Sequence, residues 1–348
     1  MAGLKDIAKA AGVSVGTVSD ILNRGRANLY TPATRQRVNE FSRRFQYRPS
    51  RNAQAMRSNR THAVGFAAAN FSAEGMLDNH PAYAFMIGLN HGLTEDGYHV
   101  GMVELAELEG AARQPLPWAL RGRFFDALLV HYGLSDRASR FAENLGIPLL
   151  WWDSGVFEDH NCIYRDEDTV SRTLVRQLLE MGHRNIAYLV GETGWAKYCA
   201  GQPVHYSYAQ RFEAYRDEMH AHDLKDRPII GYDVRACAEQ LAQHQATAVV
   251  IQGSSPSVIP LATHMLGWDL GRDLSLATLD YEPRSMYGSL AVGGMEYDRF
   301  DAGRKAARMM LQMFEEGATE VPSIVIQGSY AARATIAPPA PQRSTRPL

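Results

Sequence analysis

The sequence predicts an α/β protein: a small three-helix, helix-turn-helix head followed by a larger body of parallel sheets. Three observations predict this. Charge is unevenly spread: residues 1–61 hold twelve basic side chains and three acidic ones, a net +9, while the rest of the 348-residue chain carries −11 and the whole carries −2. Within the basic stretch, apolar residues recur at helical spacing. From residue 63 onward, short apolar runs alternate with helical patterns, as in parallel sheets covered by helices on both faces. A chain of this length holds about two to three domains, and a hydrophobic content of 45% excludes a chain that is disordered throughout.

In the head, Leu4, Ile7, Ala8 and Ala11 share one face of a first helix. Gly12 supplies the left-handed backbone of a tight turn, and Ser14 caps a second helix. Val18, Ile21 and Leu22 form that helix's buried stripe, and Asn23 and Gly25 stop it. Thr31-Pro32 announces a third helix, with a cap residue followed by proline at the first helical position. Val38, Phe41 and Phe45 close the small core, and Tyr47-Arg48-Pro49 ends the unit. Small Ala8, then Gly12, then Val18 meet the steric needs of a helix-turn-helix. Gly12 to Gly16 also matches GxSxG, but that nucleophile elbow needs a preceding strand. A helix precedes it here, so Ser14 reads as a cap and phosphate contact. The second helix's first turn suits a major groove. Thr17 and Ser19 are phosphate donors there, Val15 packs on a thymine methyl, and Asp20 accepts from cytosine N4.

Strands are expected over 63–68, 98–103, 126–131, 148–152, 186–190, 248–251 and 274–279. Helices are expected over 82–96, 136–145, 167–181, 208–221, 235–244 and 300–316. About 280 residues is large for one sheet, so the body divides into two lobes. No apolar run approaches the ~18 residues of a membrane helix. Lys5, Asp6, Lys9 and Asp20 interrupt any leader-like apolar core. Cys162, Cys199 and Cys237 are odd in number and lack CxxC spacing, which fits a reducing cytoplasm. No P-loop, HExxH or GxGxxG fingerprint is present. His220 and His222 diverge on a helix. No catalytic residue, metal or cofactor is therefore expected.

The run LKDIAKAAGVSVGTVSDILN resembles the DNA-binding head of the LacI/GalR family of bacterial transcription regulators. YRPSRNAQAMRSNRT is similar to that family's hinge helix. IPLLWWD, EMGHRNIAYLVG, RFEAYR, DLSLATLDY and Arg333 in AARAT continue the likeness through the body. The resemblance implies a head over 1–49, a hinge over 50–61 and a two-lobed core over 62–338 of the periplasmic-binding-protein type. A Pro-rich tail spans 339–348. The first lobe would comprise 62–161 and 292–322, and the second 162–291 and 323–338. It implies a homodimeric, cytoplasmic repressor that reads a near-palindromic double-stranded operator under the control of a sugar-like effector. The alternatives are a solute receptor without DNA function and, behind it, an enzyme.

The DNA contacts so implied are Ser14, Val15, Gly16, Thr17, Ser19, Asp20, Asn23, Thr31, Tyr47, Ser50, Ala53 and Met56. Met56 stands where the family inserts an apolar wedge into the minor groove. Ligands of open parallel sheets sit beyond the carboxyl ends of strands. That rule and the resemblance select Asn70, Phe71, Tyr83, His131, Asp153, Ser254, Asp280 and Tyr297 as effector contacts. Asp153 and Asp280 would each accept paired hydroxyl bonds. Trp151, Trp152 and Trp195 are further candidates for stacking on a sugar ring. The chain departs from the family in two extra residues after Asn23, in Ala209 where a ligand-gripping arginine is usual, and in Gly253-Ser254 where Asn-Asp is common. Arg211 of the same motif is expected to be structural.

Overall fold

A computed structural model describes residues 2–48, 60–68, 82–104, 122, 124–252, 257–281, 291–315 and 317–341. The chain divides into two compact units, residues 1–63 with 123–126, and residues 64–122 with 127–348.

The first unit is the head. Helix α1 spans Leu4–Ala11, α2 Val15–Leu22 and α3 Pro32–Arg44, with a 3-10 turn at Ala27–Leu29. Gly12 ends α1 at φ +65°, and the Ser14 Oγ accepts the Thr17 amide at 3.0 Å. Thr31 caps α3 by accepting the Thr34 amide. Ile7, Ala8, Ala11, Val18, Ile21 and Val38 are buried together, with Leu4, Leu22, Phe41, Phe45 and Tyr47 packed around them. The sequence's three helices, their caps and their core residues all appear here.

The second unit holds two six-stranded sheets. Strands β1 to β5 are Ala63–Ala68, His99–Glu104, Ala127–His131, Leu149–Trp152 and Cys162–Arg165. Strands β6 to β9 are Ile186–Val190, Pro228–Ile230, Ala248–Ile251 and Ser275–Tyr281. Strands β10 to β12 are Gly293–Glu296, Ile324–Ile326 and Ser329–Ala331. One sheet runs β11-β5-β4-β3-β1-β2 and the other β12-β10-β9-β8-β6-β7. The strand pairs are parallel from β1 to β3, β4, β5 and β11 and from β7 to β6, β8, β9 and β10. The edge pair β10–β12 is antiparallel.

Helices α4 to α7 are Ala82–Thr94, Asp136–Glu143, Glu167–Glu180 and Glu192–Cys199. Helices α8 to α11 are Tyr206–Ala221, Val234–Gln243, Val258–Leu266 and Arg299–Glu315. The lobe boundaries differ from those expected. β5 belongs to the first sheet, so the first crossover falls after Arg165. β10 belongs to the second sheet and β11 to the first, so the other crossovers fall after Glu296 and Ile326. Strand-to-strand pairing sets these boundaries, and the short β5, β10 and β11 carry too little alternation to be read.

Close backbone approach fixes α4 against α11. A Cβ at Gly88 would lie 2.0 Å from the Phe300 carbonyl oxygen, and one at Gly303 would lie 2.1 Å from that of Phe85. The motif residues His183 and Arg333 staple the second lobe's sheet. The buried His183 ring bonds the Thr247 hydroxyl at 2.9 Å and the Ala337 carbonyl at 2.8 Å. Arg333 donates to the Val292 carbonyl at 2.7 Å, pairs with Glu296, and lies over the Tyr281 ring. Among the described residues no helix is long and apolar enough to cross a membrane.

Candidate functional site

The head offers α2 as a recognition helix. Ser14, Val15 and Gly16 are exposed at its start, and Thr17 is half-buried. The side chain of Ser14 is occupied locally, by the Thr17 amide and the Thr17 hydroxyl at 2.9 Å. α1 precedes Ser14, so the strand that a nucleophile elbow requires is missing there. Ser19, expected to face phosphate, is instead buried at 6% exposure. It sits next to Val18 and two residues before Ile21, on the side of α2 that packs into the head. Asp20, expected to accept from a base, is already engaged. Its Oδ1 accepts from Arg24 at 3.0 Å and its Oδ2 accepts the Tyr30 hydroxyl at 2.7 Å. Asn23 donates to the Tyr47 hydroxyl at 3.3 Å, and Thr31 is spent on its cap. Ser50, Ala53 and Met56 lie outside the described residues.

In the second unit, the strand ends of the two lobes meet over a buried ionic cluster. Arg165 ends β5 and Glu167 opens α6. Asp153 follows β4, Asp280 lies near the end of β9, Arg211 lies on α8 and Arg299 opens α11. Arg165 reaches Asp153 at 2.9 Å, Glu167 at 3.1 Å and Asp280 at 3.1 Å. Arg211 grips Glu167 through two N–H groups at 2.6 and 2.8 Å and also reaches Asp280 at 3.2 Å. Arg299 pairs with the other oxygen of Asp280. The Tyr206 hydroxyl donates to Asp153, and the His205 ring bonds the Asp153 carbonyl at 2.8 Å. Contacts from Asp280, His205 and Tyr206 therefore cross from the second lobe to the first.

Among the described residues three guanidiniums face three carboxylates, so their charges balance. Burial opposes charge on Asp280, yet Arg299, Arg211 and Arg165 hold its carboxyl well below the ordinary 3.8. Burial opposes Asp153 likewise, and Arg165, His205 and His131 hold it down. Burial, with Asp153 second, pushes the Tyr206 phenol far up, so it stays a donor. Both carboxylates titrate lower folded than unfolded. Their contribution to stability is complete above an ordinary carboxylate pKa and is lost as pH falls below it. The melting midpoint is therefore expected to stay level from about pH 7 to 5 and to drop below about pH 4, as checked by calorimetry across that range. A midpoint falling steadily from neutrality would contradict the assignment.

Around the cluster, His131 is buried and stacks on Trp152 at 4.1 Å, and Trp152 stacks on Phe85 at 3.5 Å. Tyr297 is fully enclosed, with its hydroxyl 3.2 Å from Glu167 and its ring under Arg165. Trp151 is also largely buried, and Trp195 packs edge-on against Phe212. These aromatics act chiefly as core. Tyr132, 42% exposed and stacked on His205 at 4.6 Å, is a ring that stays open at these strand ends. Tyr132 and Asp153 both hold left-handed backbones, at φ +81° and +52°, a strain of about 1–3 kcal/mol each that gathers at functional sites. Tyr83 is exposed on α4. Asn70, Phe71 and Ser254 lie outside the described residues. Sequence reasoning missed Arg165, Glu167, Arg299, His205 and Tyr206 and placed Arg211 outside the site. The one available signal was Arg165 at the end of the short apolar run Cys162-Ile163-Tyr164.

Comparison with known proteins follows the same division. Residues 3–50 match the family described as bacterial regulatory proteins, lacI family, and residues 175–336 match the periplasmic binding protein-like domain. The transcriptional regulator CelR of Thermobifida fusca is 27% identical over 236 residues, 66% of this chain and 64% of that protein. GalR of Escherichia coli (strain K12) is 31% identical over 195 residues, 54% of this chain and 53% of that one. The chain thus spans between half and two thirds of the length of these curated relatives. Among solved structures, the lac repressor dimer bound to operator and the anti-inducer ONPF covers 97% of this chain and 99% of that one, at a TM-score of 0.75 and 19% identity. A CelR–cellobiose complex covers 96% and 100%, at a TM-score of 0.63 and 21% identity. At such identities the likeness shows the fold. The chain thus pairs a head that matches the lacI family of bacterial regulatory proteins with a body that matches the periplasmic binding protein-like domain, and the relatives it resembles are transcriptional regulators.

Proposed function

We propose that the chain is a sequence-specific DNA-binding transcription regulator, a repressor whose operator affinity is set by a small neutral polyhydroxyl compound held between the body's lobes. The observation that carries the reading is the head itself. A lacI-type α2, capped by Ser14 and exposing Val15 and Gly16, stands in a segment of net charge +9. A basic surface presenting a short helix is the electrostatic and geometric footprint of a major-groove reader. The chain works as a homodimer, with two heads on inverted half-sites and paired hinges between them, Met56 serving as the minor-groove wedge. It has no catalytic role and acts in the cytoplasm.

The body supports the effector's class. Its cluster is charge-balanced, so an anionic or cationic ligand would face no unmet partner there. Among the described residues Asp280 Oδ1 accepts from Arg299 alone, and a carboxylate oxygen has room for a second donor such as a hydroxyl. Tyr132 offers a ring face at the same strand ends. Asp153, Asp280 and Tyr132 are the contacts proposed for such a ligand, together with Asn70, Phe71 and Ser254. The relatives fit this reading: a ribose operon repressor among proteins and a cellobiose complex among structures.

The test is selection from randomised duplexes by the full chain. An inverted repeat with two equivalent half-sites is expected. Recovery of no consensus, or of a single unpaired site, would overturn the reading. A thermal-shift panel of neutral sugars, polyols, sugar acids and nucleosides tests the effector: upward shifts confined to charged compounds would exclude a neutral polyhydroxyl.

A further inference from the structure

Position 20 of the recognition helix holds an acid, and duplex DNA repels acids. Asp20 nevertheless shares one side of α2 with Gly16, four residues earlier, and Arg24, two residues past the helix's last residue Leu22, reaches back to it. Gly16 leaves that side open: a Cβ there would meet the Ser14 hydroxyl alone, at 3.5 Å. The carboxylate of Asp20 has both oxygens in use, one by Arg24 at 3.0 Å and one by the Tyr30 hydroxyl at 2.7 Å. Its side chain is 16% exposed, whereas that of Arg24 is 45% exposed. Tyr30 comes from the stretch between α2 and α3 that carries the two extra residues. The Arg26 amide, bonded to the Asp20 carbonyl at 3.0 Å, folds that stretch back along α2.

We propose that Arg24, and not Asp20, is the group through which this end of the recognition helix reads a base, that the base is guanine, and that Asp20 and Tyr30 are its positioning residues. This rests on the reading of the head as a duplex-DNA binder. Arg24 uses one of five N–H donors on Asp20, and among the described residues the others have no partner. A guanidinium held by a carboxylate keeps its planar fork pre-ordered. The free edge of the fork matches the O6 and N7 acceptors of guanine in the major groove, the commonest specific pairing of arginine. The ion pair also neutralises Asp20, which removes the repulsion from phosphate that an isolated acid would suffer. Tyr30 and Arg24 together hold the Asp20 carboxyl below its ordinary range, so the clamp persists across physiological pH.

The experiment uses the full chain and duplexes selected from a randomised library. If no duplex is selected, the DNA-binding reading itself fails, and this proposal with it. If a consensus emerges, wild type is expected to require one G·C pair in each half-site. Arg24→Lys keeps the charge and removes the fork. It is expected to lose about ten- to a hundred-fold in affinity for the consensus while binding duplexes substituted at that pair as wild type does. Its salt slope is expected to be unchanged. Tyr30→Phe frees one Asp20 oxygen and is expected to relax the same position, more weakly, and no other. Two results would overturn the proposal: Arg24→Lys retaining the preference at every position, or Arg24→Ala weakening all sequences equally with a shallower salt slope, the mark of a phosphate contact.

Discussion

Asp280→Asn is expected to destabilise the ligand-free body by about 3–5 kcal/mol, the usual cost of breaking a buried ion pair from one side. The carboxylate accepts from three guanidiniums, those of Arg165, Arg211 and Arg299, the first and last at 7% and 4% side-chain exposure. Asparagine keeps the shape and removes the charge, which leaves three buried cations against two carboxylates. Urea denaturation of the variant checks this. A ligand-free midpoint equal to wild type would mean that Asp280 serves a ligand and nothing else. The same variant is expected to bind any ligand from the sugar panel more weakly, because the oxygen opposite Arg299 has lost its charge. Asp280 is thus both a proposed ligand contact and the keystone of the closed lobes, and a change there disturbs both.

Gly303→Ala is expected to cost about 3 kcal/mol or more, at the upper end of overpacking effects. The added methyl would sit 2.1 Å from the Phe85 carbonyl oxygen and 2.6 Å from the Leu89 amide nitrogen. Both neighbours are backbone of α4, so no rotamer change relieves the clash and the two helices must separate. Separation opens the packing of Phe85, which carries Trp152 on its face, and Trp152 is the last residue before Asp153. The loss is read from the denaturation midpoint of the full chain. An unaltered midpoint would show that α4 and α11 part freely.

The head was legible in the sequence almost residue by residue, because caps and turns are local. Ser14, Thr31-Pro32 and Gly12 act within four residues of themselves, and the short core repeats at i, i+3 and i+4. Ser19 was misjudged because a small polar residue gives no sign of facing inward. In the body, strands of five or more residues stood out. The four-residue β4 and β8 stood out too, as unbroken apolar runs fully or almost fully buried, whereas β5, β7 and β10 to β12 did not, since their three or four residues mix polar, glycine or exposed positions and show no period. α7 was missed because it buries no residue fully, and α10 because it is apolar with Pro260 in its first turn. Asp153 and Asp280 could be picked as acids following apolar runs. Their partners could not: Arg165 and Arg299 become neighbours only when the lobes cross over, and nothing in a sequence marks an arginine as buried.

The central claim is that the basic head confers DNA binding on a body that lacks it. The direct measurement is fluorescence anisotropy of a selected duplex with the full chain, and with the chain begun at residue 62, between 50 and 200 mM salt. Each neutralised phosphate releases counterions, so the full chain should lose about 10³–10⁵ in affinity over that range if it makes roughly six to ten phosphate contacts, and the shortened chain should not bind. Affinity retained without residues 1–61, or binding indifferent to salt, would contradict the account.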